Sequence, residues 1–63
     1  MALLAVQVIE QSSKQALVEW NNGLRSYVNF KREISENAVL NWNGLSVGEI
    51  YKIVQYHNEK GFY

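Results

Sequence analysis

The sequence predicts an α+β domain: a three-stranded antiparallel meander packed on a C-terminal helix, with a small SH3-like barrel carrying that helix as the alternative. Three observations lead there. Three β-type runs lie between turn signals, a capped amphipathic helix follows Ser46, and loop lengths chosen separately for the two hairpins converge on one apolar face.

The β-type runs are "LLAVQVIE" (3–10), "KQALVEW" (14–20) and "LRSYVNFK" (24–31), rich in Val, aromatic residues and alternation. The turn signals are "QSSK", "NNG" and "NWNG", and Pro is absent. A three-residue loop Asn21-Asn22-Gly23, with Gly23 in the left-handed position of a bulged hairpin, sets Trp20 against Leu24, Ala16 against Val28 and Glu19 against Arg25. A two-residue Asn22-Gly23 turn instead puts Glu19 on the face of Val28 and Phe30, because a one-residue slip exchanges the two faces. Treated likewise, a Gln11-Ser12-Ser13 loop pairs Val8 with Ala16, Val6 with Val18 and Leu4 with Trp20, while Glu10 meets Lys14. The expected core face is then Leu4, Val6, Val8, Ala16, Val18, Trp20, Leu24, Val28 and Phe30.

The connector "REISENAVLNWNG" divides between two readings. Ser35 caps a short helix through Ala38 and Leu40 with Ile34 and Val39 as its staple, or "AVLNW" forms a fourth strand. The helix is the preferred one. After it, Ser46 and Glu49 have the spacing of a capping box, with Leu45 and Ile50 as the hydrophobic staple. Val47, Ile50, Tyr51 and Val54 form one apolar stripe, and Gly61 fits the left-handed residue beyond the helix end.

Composition narrows the function classes. At 63 residues the chain is expected to be a single domain over 1–63, of a size at which burial alone gives marginal stability. Without Cys there are no disulfides or thiolate sites, and His57, the single histidine, cannot assemble a zinc centre. No metal or cofactor is therefore expected, and oligomerisation remains as the compensation for small size. Six Lys/Arg balance six Glu, and a net charge of zero argues against a dedicated DNA binder. The opening "MALLAVQVIE" lacks a basic flank and is interrupted by Gln7 and Glu10, so neither a signal peptide nor a membrane span is expected and the protein is read as soluble and cytoplasmic.

No motif carries catalysis. His57 has no nameable nucleophile or acid beside it, and its ordinary role is a boundary residue packing on Phe62 near the helix C-terminus. Neither "NNG" nor "NWNG" has the glycine run and following Lys-Ser/Thr of a phosphate loop. The chain is thus read as non-enzymatic.

What remains is surface. The outer sheet face carries Arg25, Tyr27, Asn29 and Lys31 beside Gln15, Leu17 and Glu19, together with Leu3, Ala5 and Ile9. Left uncovered, this face is an exposed apolar patch, flanked by edge strands that no Pro blunts; alternatively Ile34, Val39, Leu40 and Trp42 fold back over it. On the helix, Tyr56 points outward between Lys52 and Lys60. The expected function is a small non-enzymatic interaction module that binds itself, as a dimer, through the outer sheet face or an edge strand, or binds another protein, with Ile9, Leu17, Tyr27, Arg25 and Tyr56 as the contact residues. The alternative is weak nucleic-acid binding by Arg25, Tyr27, Lys31, Lys52 and Lys60, against the ordinary reading of a solvated sheet face. Short motif-free chains of this kind have the style of accessory proteins carried by phages and mobile elements, an expectation that no single residue carries.

Overall fold

Alternation in the second and third runs segregates their side chains between two faces, and the computed structural model, which describes residues 3–35 and 37–60, shows the resulting sheet. Strands β1 (Ala5–Gln11), β2 (Gln15–Trp20) and β3 (Arg25–Asn29) form an open antiparallel sheet in that order, followed by helix α1 (Val47–Lys60). The meander and C-terminal helix are as expected, and the sheet does not close into a barrel.

The β2–β3 register is the expected one: Ala16 faces Val28 and Glu19 faces Arg25. Gly23 has φ +85, the left-handed conformation that its lack of a Cβ permits. Gly23 N donates to Trp20 O and Trp20 N to Leu24 O, closing the hairpin.

The β1–β2 register differs from expectation. Ser12 N donates to Gln15 O, while the Ser12 hydroxyl accepts from the amides of Lys14 and Gln15. A serine side chain that bonds the backbone two and three residues on fixes a turn locally. The loop therefore occupies Ser12–Lys14, and Gln11 faces Ala16. Two bulges in β1, at Ile9 and Val6, then bring Val8 opposite Val18 and Ala5 opposite Trp20. Hence the pairs Val8–Ala16, Val6–Val18, Leu4–Trp20 and Glu10–Lys14 do not form. Val6 is exposed, and Ala5 takes its place in the core.

Leu24 is also exposed, since it leaves the hairpin loop with its amide tied to Asn22 Oδ1 and nothing packed above it. The remaining inward residues, Ala5, Ala16, Val18, Trp20, Val28 and Phe30, join Ile34, Leu40 and Trp42 from the connector and Ile50 and Val54 from α1 in one core. Trp20 Nε1 donates to Ser26 Oγ at 2.7 Å, so the buried indole is satisfied.

The connector is neither the short helix nor the fourth strand. Ser35 forms a single turn, with Ala38 N donating to its carbonyl and Asn37 N to its hydroxyl, and Val39 is almost fully exposed rather than stapled to Ile34. Its buried residues recur at no regular period, and apart from the local Ala38–Ser35 and Leu45–Trp42 bonds its backbone bonds are made at long range. Ile34 N donates to Ser13 O, Gly44 N to Ala5 O, Ala5 N to Leu45 O, and Val47 N to Leu3 O. The last three close the outer edge of β1 at its start.

At the start of α1 the expected cap is present. Ser46 Oγ accepts from Glu49 N, and Glu49 Oε1 accepts from Ser46 N, both at 3.2 Å. The inward stripe runs through half-buried Val47 and buried Ile50, Val54 and His57, so Tyr51 is exposed and His57 is wholly buried. His57 Nε2 donates to Arg32 O at 2.7 Å, and its ring stands edge-on to Phe30 at 5.5 Å. The expectation of a boundary histidine is corrected accordingly. Its proposed partner Phe62, like Gly61, lies outside the described residues.

Candidate interaction surface

Because the connector and α1 both pack on the Val18–Val28 side, the opposite face of the sheet stays bare. Strand alternation puts Gln15, Leu17 and Glu19 of β2 on that face, directly opposite Asn29, Tyr27 and Arg25 of β3. Leu17 is half-buried and has Glu10 of β1 on its other side. Tyr27 is 53% exposed, a large aromatic left in water. Around this pair Glu10, Gln11, Ser12 and Gln15 complete a shallow depression of about 420 Å³. Arg25 Nη2 lies 3.5 Å from Glu19 Oε1 at the rim. Such a solvent-accessible pair contributes only about 0–1 kcal/mol, so its main effect is to orient the guanidinium.

The structure brings Leu17, Tyr27 and Arg25 together as the pattern implies. Ile9 is half-buried, the unpaired residue of a β1 bulge beside the Glu10–Leu17 pair. Ala5 and Leu3 leave the expected patch, Ala5 being a core residue and Leu3 packing against the core. Tyr56 is exposed on α1, the element covering the other face, and does not join the Leu17–Tyr27 cluster. The cations expected to form a nucleic-acid surface are likewise divided. Arg25 is engaged with Glu19, Lys31 lies at the end of β3, and Lys52 and Lys60 are on α1.

The β3 edge adds a second element. Trp20 N donates to Leu24 O, and Phe30 N donates to Lys14 O. Residues that exchange ladder bonds alternate along an antiparallel strand, so Leu24, Ser26, Val28 and Phe30 turn their backbone groups to β2. Arg25, Tyr27 and Asn29 therefore direct N–H and C=O off the open side of the sheet, where no described residue meets them. The next member of the series, Lys31 N, donates to Asn58 Oδ1 at 2.8 Å, which closes the edge at that end. Between this edge and α1 runs a groove of about 570 Å³ lined by Asn29, Lys31, Tyr51, Gln55 and Asn58, among others.

The groove residues Gln55 and Asn58 were not singled out by the sequence, although Arg25, Tyr27, Asn29 and Lys31 of the edge were. The parity of the β3 backbone follows from the hairpin register, which is readable, but the Asn58–Lys31 bond spans 27 residues and leaves no local signal. Among the described residues every buried side-chain nitrogen and oxygen has a partner, and no group of three or more His, Asp or Glu is placed to hold a metal ion. Among them, too, no helix is long and apolar enough to cross a membrane. Comparison with family models, with curated proteins and with solved structures found no match.

Proposed function

We propose that the chain is a non-catalytic interaction module that self-associates by burying the outer face of its sheet. The observation that carries this reading is the one-sided covering of the sheet: connector and helix occupy one face, while Leu17 and Tyr27 remain on the other with a polar rim. Apolar patches rimmed by polar groups are characteristic of association surfaces. A formal charge of zero places no net repulsion between copies.

Light scattering on Leu17→Glu tests it. A carboxylate at the centre of the face should convert the associated form to monomer while the far-UV spectrum is retained, since Leu17 is not a core residue. Equal masses for variant and parent would remove the reading. Salt separates it from nucleic-acid binding. Association through apolar burial should persist as salt rises, whereas single-strand binding weakens steeply.

A further inference from the structure

We infer that a second copy of this chain adds to the β3 edge as an antiparallel strand, with Tyr27 on the two-fold axis. The inference shares with the reading above only that the chain self-associates; it goes beyond face burial to a separate contact at a strand edge, with its own register and symmetry. The two edges of the sheet are not equivalent. β1 carries bulges at Val6 and Ile9, and Leu45 and Gly44 bond its first residue, Ala5. Bulges and covering segments are devices that stop an edge from pairing further. β3 carries no bulge, and its outward groups at Arg25, Tyr27 and Asn29 are left unmet among the described residues.

Self-pairing across a two-fold axis requires each residue to face its own complement. Centred on Tyr27, the antiparallel register sets Arg25 opposite the partner's Asn29 and Lys31 opposite the partner's Gly23. No cation faces a cation. A parallel in-register pairing would instead align Arg25 with Arg25 and Lys31 with Lys31, and like charges directly opposite are destabilising. The parity also fits. Arg25, Tyr27 and Asn29 are the three residues whose N–H and C=O point outward, and in this register all three become bond-exchanging positions. The side chains of Arg25, Tyr27 and Asn29 project from the outer face, so the two Tyr27 rings become neighbours and join Leu17 of each copy in one apolar band. With the axis perpendicular to the sheet, both helices fall on the same side, and each β3–α1 groove, with Tyr51 and Gln55 in its wall, is turned toward the other copy.

Amide hydrogen exchange on the intact protein, followed by NMR at several concentrations, tests the pairing. At concentrations where light scattering gives a dimer, the amides of Arg25, Tyr27 and Asn29 should exchange at least about tenfold more slowly than in the dilute monomer. Val28, already bonded to β2, should change far less. The Asn29→Pro variant removes one outward N–H per copy without touching the β2 ladder, a substitution that edge strands accept. It should be monomeric with Val28 still protected. A dimer whose Arg25, Tyr27 and Asn29 amides exchange as fast as in the monomer overturns the edge pairing but leaves association through the outer face standing. A monomer at every concentration overturns both.

Discussion

His57 is polar yet entirely enclosed, and its position follows from two constraints acting at different ranges. Locally, it continues the Val47, Ile50, Val54 spacing, so the helix turns it inward whatever its polarity. At long range, the Arg32 carbonyl arrives from the connector and accepts the Nε2 proton, which makes that burial tolerable; an unmet ring nitrogen there would be costly. Phe30 is held between this imidazole and the Trp42 indole, both edge-on to it, at 5.5 and 6.1 Å. His57→Ala should therefore lose both packing and a hydrogen bond, lowering unfolding free energy by about 3 kcal/mol in urea titration. A change below about 0.5 kcal/mol, the range of ordinary surface substitutions, would show that the ring is not integral to the core. The spacing placed it only at the edge of the stripe, and neither its full burial nor its acceptor was readable, because Arg32 lies 25 residues away in a segment with no periodicity.

Elements differ in how far their own residues determine them. α1 begins where Ser46 and Glu49 exchange bonds, and Leu45 and Ile50 flank that cap on the core side. Ser46→Ala should lower the unfolding free energy by about 1 kcal/mol, measured as a reduced thermal midpoint. An unchanged midpoint would mean that the helix start is fixed by packing alone. The β2–β3 hairpin is equally self-determined, since Gly23 supplies the one left-handed residue that its loop requires. No residue in the first hairpin makes a comparable demand. Its loop settles on Ser12–Lys14 through the Ser12 hydroxyl, and the two bulges then restore the apolar face, so a register inferred from alternation alone goes astray. The connector fails both periodic templates for a related reason. Ile34, Leu40 and Trp42 are spaced by what lies beneath them rather than by any helix or strand of their own.

Taken whole, the molecule is a single sheet covered on one side, and that asymmetry bears on its stability. A chain of 63 residues buries only roughly 60% of the surface that its unfolded form exposes, a modest share. Pairing with a second copy would bury more and would couple unfolding to mass action. Above its dissociation constant, a dimer that unfolds to two chains should show a thermal midpoint rising by roughly 3–6 °C per tenfold increase in concentration. Calorimetry at several concentrations reads this directly, and a constant midpoint would count against the associated state.

The stitching of Leu3 and Ala5 to Leu45 and Val47 carries a kinetic consequence. Both hairpins can zip from neighbouring residues, but this latch joins positions about forty apart and must await the arrival of the connector. This closure has the largest sequence separation among the described backbone bonds outside helices and strands, and the rate of folding should depend on how quickly the Leu3–Ala5 segment meets Leu45–Val47.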